Sequence, residues 1–252
     1  MSDLAAFAWR RGGPKAPAWV CRVMGRHIDT IEQQMGVRFL RKDGKLILLG
    51  RGVYGCVIAL EDVTRVFKIT SDEEEGPITA WIQFLQSQDA APGGVPIIET
   101  TTKIDKVFRF PDKIKPSGHE MRPYGIIREA VDTDRRIPVR LAEVLDACVD
   151  GWEVACSSLK KSKQDLGRMM ADASILAMTQ GAYGKQAERL GAHLEWFQKS
   201  GTPLMDIHRS NVAYRIVSTV EHTKRGQIVM YDFGASQLCD TIPGEIHDLI
   251  GE

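Results

Sequence analysis

The stretch "LGRGVYGCVIAL" at residues 49–60 decides how this chain is read. Its glycines Gly50, Gly52 and Gly55 fit G-x-G-x-x-G, a spacing that lets backbone N–H groups approach a phosphate. With 23 glycines in 252 residues, that pattern arises by chance about 0.2 times per chain, so the glycines alone settle nothing. The residues after Gly55 discriminate. A dinucleotide loop runs from a strand into a helix, with an acidic residue about 20 positions further on. Here Cys56-Val57-Ile58-Ala59-Leu60 comes next, a strand composition. Strand, glycine turn and strand make a hairpin lid that lays N–H groups over nucleotide phosphates. The spacing extends through Val57, and Tyr54 at the tip would shield phosphates from water.

Such a lid demands a lysine on the third strand, aimed at the phosphates. Lys68 stands there in "RVFKIT", between Phe67 and Ile69. A solvent-facing lysine on an edge strand is the plainer explanation; the preceding loop favours the phosphate role.

Around this core the periodicity sets out the rest. Val20, Val23, Met24, Ile28 and Ile31 recur at helical spacing from Ala18 to about Met35, and Gly36 stops that helix. Residues 37–70 read as three or four antiparallel strands, with turns at Asp43-Gly44 and Glu61-Asp62. Ser71–Glu75 is a cap-like acidic entrance to a helix with Pro77 in its first turn, closed by Ala-Pro-Gly-Gly at 91–94. Lys103–Phe110 and Tyr124–Val131 predict strands, with a polar loop from Pro111 to Arg122 between them. Helices are expected over Val139–Val149 and Lys163–Lys199, the latter interrupted near Gly181–Gly184. Then "NVAYRIV" and "QIVMYDF" form a small hairpin. Strands plus one helix, then helices, then a hairpin give an α+β plan in two lobes.

The last third carries two further motifs. "PLMDIHRSNVAYR" sets Asp206 and Asn211 five apart on a loop, and "IVMYDFGAS" puts Asp232-Phe233-Gly234 after an apolar strand. Taken singly, these are ordinary turn and cap residues. Glycine loop, strand lysine, D-x-x-x-x-N and D-F-G in this order resemble the protein-kinase-like superfamily over residues 45–236. The resemblance implies a two-lobed protein-kinase-like fold: a helical extension at 1–36, a nucleotide-binding antiparallel sheet lobe with one helix at 37–131, and a reduced, mostly helical lobe at 132–252.

It also implies a cofactor pair, ATP and Mg²⁺, and a role for each residue. Gly50, Gly52, Tyr54, Gly55 and Val57 would cover the nucleotide, and Lys68 would hold its α- and β-phosphates. Asp206 would orient or deprotonate the acceptor hydroxyl. Asn211 and Asp232 would coordinate Mg²⁺ through hard oxygen atoms. Glu75, nearest the helix among Glu73, Glu74 and Glu75, would pair with Lys68, although all three carboxylates also suit a helix N-terminus. Ile127 would stand behind the adenine and the backbone near Arg128–Ala130 would hydrogen-bond it. Val57, Val66 and Ile69 would form apolar walls, a role ordinary core burial explains equally well.

Three departures narrow the expectation. Leu204-Met205 replaces the usual His-Arg before Asp206, removing the basis for a switch gripped by a phosphorylated loop. His208 gives the loop a D-x-H-x-x-N character, closer to aminoglycoside and small-molecule phosphotransferases and to minimal bacterial or phage kinases; a hydrogen-bonding support role suits His208 best. Only residues 235–252 come after Gly234, with no Ala-Pro-Glu motif, so no room is expected for the helical subdomain on which many protein kinases dock peptides.

Composition excludes several partners. Lys+Arg 33 against Asp+Glu 33 gives no global field for nucleic acid or an anionic membrane. Cys21, Cys56, Cys148, Cys156 and Cys239 are scattered without C-x-x-C, which argues against a disulfide framework or zinc and for a reducing, cytoplasmic setting. No apolar run reaches 18 residues. The expectation is an ATP- and Mg²⁺-dependent kinase acting on Ser or Thr of a protein, or on itself at Thr70, Ser236 or Thr241. A small-molecule kinase, a pseudokinase acting by binding and an AMP-transferring enzyme are the alternatives.

Overall fold

The computed structural model describes residues 15–116, 118–133, 137, 141–143, 145, 184–200, 209–215, 227–233 and 250. These fall into two compact units. One draws on Met1–Gln83, Ile104–Ala130 and His247–Glu252, the other on Phe84–Lys103 and Val131–Ile246. The architecture is α+β, with an antiparallel sheet in the N-terminal region and few helices.

In the first unit, helix α1 spans Ala18–Met35 and buries Trp19, Val20, Val23, Met24 and Ile31. It ends where Gly36 adopts φ 61°, the left-handed turn that a residue without Cβ takes at no steric cost. Strands β1 (Arg41–Lys42) and β2 (Lys45–Leu46) form a short hairpin. Asp43 and Gly44 between them both have positive φ, as a two-residue turn matched to strand twist requires.

Strands β3 (Leu48–Arg51), β4 (Gly55–Ala59), β5 (Arg65–Thr70), β6 (Ile104–Arg109) and β7 (Tyr124–Glu129) build one antiparallel sheet. Its order is β3-β4-β5-β7-β6, so β5 is central and β6 is an edge. One face of this sheet closes on α1. Cys56, Ile58, Phe67, Ile69 and Ile127 share a buried core with the α1 residues, Phe39 and Phe110. The Phe39 and Phe67 rings meet edge-on at 5.1 Å. Helix α2 (Glu75–Ser87) comes after β5. Asp72 prepares its start by accepting the Glu74 N–H at 3.0 Å, satisfying one orphan donor of the first turn.

In the second unit, β8 (Val131–Asp132), β9 (Val212–Arg215) and β10 (Ile228–Met230) form an antiparallel sheet of order β10-β9-β8. The free side of β10 is taken by residues 100–102. Thr102 donates to the Met230 carbonyl at 2.9 Å, and Met230 donates to the Thr100 carbonyl at 2.7 Å. The Arg215 guanidinium adds bonds to the carbonyls of Ile98 (2.8 Å) and Thr101 (2.9 Å). Helix α3 (Lys185–Lys199) contributes buried His193, which meets the Thr100 hydroxyl and bonds the Val95 carbonyl at 2.7 Å. Among the described residues, no helix is long and apolar enough to cross a membrane.

Candidate nucleotide site

Strand β5 presents Lys68 to the face of the sheet opposite α1. Successive side chains on a strand point to opposite faces, so Phe67 and Ile69, in the α1 core, send Lys68 the other way. Lys68 pairs directly with Val57 on β4 and with Ile126 on β7. Directly opposed residues share a face, so Val57, Lys68 and Ile126 form one row across three strands. Lys68 is 9% exposed, and its Nζ lies 2.5 Å from Oε1 of Glu75, which is 3% exposed. Of Glu73, Glu74 and Glu75, Glu75 is the one joined to Lys68. It is the first residue of α2, whereas the position of Pro77 places it ahead of the helix.

The glycine hairpin closes with Gly52 donating to the Gly55 carbonyl at 3.0 Å, leaving Val53 and Tyr54 at the tip. Val53 is 91% exposed and Tyr54 49%. The hairpin is tied back to the end of β5: the Tyr54 carbonyl accepts both the Ser71 N–H at 2.7 Å and the Ser71 hydroxyl at 2.8 Å. Ser71 is not predicted as part of the site by the sequence; a hydroxyl just past a strand end gives no periodic signal.

Gly55 has an intramolecular reason to be glycine. A Cβ there would overlap the carbonyl oxygen of Ile69 on β5. Around Gly50 and Gly52 a Cβ would meet nothing within 4 Å, so space is open where a phosphate could approach their backbone. Cys56, within the same motif, is 1% exposed, and burial pushes its thiol up to about 12. It is no nucleophile near neutral pH.

The sheet register corrects one expectation about the adenine side and bears on another. Ile69 and Ile127 lie on the α1 face, one residue out of register with Lys68, and belong to the core. Ile126 takes the place on the Lys68 row, with Val57 and Val66 on the same face. The adenine-contacting backbone was expected near Arg128 and Ala130. Arg128 is interior to the sheet, paired with Val66 on one side and Ile104 on the other. The Ala130 N–H is donated to the Thr64 carbonyl at 2.8 Å. To reach adenine, the Ala130 N–H would have to give up that bond.

In the second unit, Asn211 ends a short 3-10 turn (Arg209–Asn211) just before β9, and Asp232 lies just past β10. Because β9 and β10 are antiparallel, with Met230 opposite Val212, the start of one strand lies beside the end of the other. The Tyr231 N–H donates to the Asn211 carbonyl at 3.0 Å, and the Tyr231 hydroxyl reaches the Ser210 carbonyl. Asn211 and Asp232 thus come to the same end of the hairpin, although far apart in sequence. Asn211 is 6% exposed and Phe233 is buried. An amide and a carboxylate oxygen together suit a hard divalent cation such as Mg²⁺. Asp206, His208, Gly234, Ser236 and Thr241 lie outside the described residues.

No protein-family model and no curated protein matches the chain. Among solved structures it is similar to the kinase domain of Mycobacterium tuberculosis PknI, at 16% identity and a TM-score of 0.32, over 80% of this chain and 60% of that one. A double-mutant form of the same domain matches at 16% identity and a TM-score of 0.32, over 79% of this chain and 64% of that one. The chain therefore spans less than two thirds of the structures it resembles.

Proposed function

We propose that this chain is an ATP- and Mg²⁺-dependent phosphotransferase that moves the γ-phosphoryl group to a Ser or Thr hydroxyl of a protein, including its own. The observation that carries this reading is the buried Lys68–Glu75 pair, on the strand to which the glycine hairpin is tied. An ammonium fixed by a buried carboxylate is a positioned charge, and phosphoryl transfer needs positioning and charge neutralisation more than covalent chemistry.

In this reading Lys68 holds the α- and β-phosphates, with open space beside Gly50 and Gly52 for their approach. Asn211 and Asp232 would hold Mg²⁺, which would supply neutralisation of the phosphate charge. Asp206 takes the proton of the acceptor hydroxyl as its oxygen bonds to the γ-phosphorus. The bond from that phosphorus to the β–γ bridging oxygen breaks, and ADP leaves. Absence of the His-Arg pair before Asp206 favours an enzyme without a phosphorylated-loop switch.

Incubation with ATP labelled at the γ-phosphate and Mg²⁺, beside Asp232→Ala, tests this directly. Label on Ser or Thr of the wild-type chain or an added protein, absent from the variant, is the expected result. No label together with no Mg²⁺-dependent ATP turnover would sink the enzymatic reading. Transfer from ATP labelled at the α-phosphate would instead identify an AMP transferase.

A further inference from the structure

Gly76, the second residue of α2, is buried and has no positive φ, so its backbone does not call for glycine. Glycine is also a poor helix former, which leaves packing to explain it. A Cβ at Gly76 would overlap the ring of Tyr124, the first residue of β7. The helix therefore lies directly against that ring, one residue after Glu75.

Tyr124 has little freedom to move aside. Its backbone pairs with Thr70 on β5 and with Arg109 on β6, and the residue is only 4% exposed. The Arg109 guanidinium lies over the ring, 5.5 Å from its centroid. Burial raises the Tyr124 phenol above its ordinary range, opposed by Arg109 and reinforced by Glu73 and Asp72 at the entrance to α2. By strand alternation Tyr124 shares a face with Ile126, and so with Lys68. One ring thus lies against the helix that carries Glu75 and on the sheet face that carries Lys68.

We propose that Tyr124 is a positioning residue: its ring seats the first turn of α2 at Gly76 and so holds Glu75 where it meets Lys68. A methyl group at position 76 would lift that turn off the sheet, and the adjacent carboxylate is the group displaced. The effect on phosphate transfer rests on Lys68 holding the phosphates; the effect on the Lys68–Glu75 contact does not.

The test reads the acetylation rate of the Lys68 amine in the full chain, without nucleotide, by mass spectrometry. An amine that loses a facing carboxylate holds its proton less tightly and reacts faster. Gly76→Ala should raise the Lys68 rate about tenfold. Tyr124→Leu should raise it too, and Tyr124→Phe, which keeps the ring, should restore the wild-type rate. Glu75→Gln should also raise it, and adding Gly76→Ala should then change nothing further, because both act through one carboxylate. Cys56, 1% exposed in the core on the α1 face, reports general loosening of the sheet, and its alkylation should stay at the wild-type rate. Should Gly76→Ala fail to fold, Tyr124→Leu beside Tyr124→Phe makes the comparison alone. A wild-type Lys68 rate in Gly76→Ala or Tyr124→Leu overturns the proposal, as does a Tyr124→Phe chain as reactive as Tyr124→Leu. A rise at Lys68 matched at Cys56, or effects of Gly76→Ala and Glu75→Gln that multiply, overturns it equally. In γ-phosphate transfer Gly76→Ala should lower kcat by about tenfold or more. A wild-type chain without transfer would overturn the phosphotransferase reading instead, and the acetylation rates would still decide the seat of α2.

Discussion

Lys68 Nζ stands 2.5 Å from Glu75 Oε1, with both side chains removed from water, the lysine on the central strand of the sheet and the glutamate at the first turn of α2. Such a pair is costly to break from one side, because the survivor is left charged in a poorly solvated place. Lys68→Met alone should lower stability by about 3–5 kcal/mol, whereas Lys68→Met with Glu75→Leu should recover most of that loss. Urea unfolding of the single and double variants measures the difference. Both forms should have lost phosphotransfer, so stability and activity separate in the double variant.

The glycines of the hairpin should divide into two kinds. Gly55→Ala forces a methyl group against the Ile69 carbonyl and should destabilise by about 2 kcal/mol or more. Gly50→Ala meets no neighbour and should stay within about 1 kcal/mol of wild type while weakening ATP binding. Unfolding midpoints paired with nucleotide titrations distinguish them. A Gly50→Ala chain with unchanged ATP affinity would remove Gly50 from the phosphate-binding set.

Asn211 and Asp232 lie at one end of the antiparallel pair β9–β10. Asp232→Ala should reduce γ-phosphoryl transfer by about 10²-fold or more, as expected when a charge-stabilising partner of the transition state is lost. Asn211→Ala should raise the Mg²⁺ concentration needed for half-maximal rate. Rates measured across a Mg²⁺ series give both numbers, and a Mg²⁺ dependence identical to wild type in both variants would dismiss this pair as the metal site.

His193 sets a pH dependence. Burial holds its imidazole below the ordinary histidine range, and its bond to the Val95 carbonyl assigns the proton of the neutral ring to Nε2. The unfolded chain takes up a proton near pH 6.5, the folded one only at lower pH. The stability this group contributes is therefore full above about pH 6.5 and is lost as pH falls through the folded-state value. The urea midpoint should drop as pH falls below about 6.5, and His193→Gln should flatten that slope. An unchanged slope would assign the acid sensitivity to other groups.

Much of the local structure was legible because it rests on near-neighbour chemistry. Helical spacing from Val20 to Ile31 with Gly36 behind it yields α1, and Asp43-Gly44 yields the first hairpin, since each depends on a few adjacent φ and ψ values. The start of α2 falls earlier than Pro77 suggests, because proline is tolerated throughout the first turn and Asp72 supplies the cap upstream.

By itself, then, the sequence determined the order of the described strands and helices and the lysine on the third strand of the sheet. Only the tertiary structure decided which face each residue serves. A strand's side chains alternate with period 2, so a single-residue difference in register moves Ile127 and Ile69 to the α1 core and puts Ile126 beside Lys68. Pairing of distant strands likewise fixed the reason for Gly55, the interior position of Arg128 and the approach of Asn211 to the residues before Asp232. Those facts live in contacts between segments far apart in the chain, where local composition carries no signal.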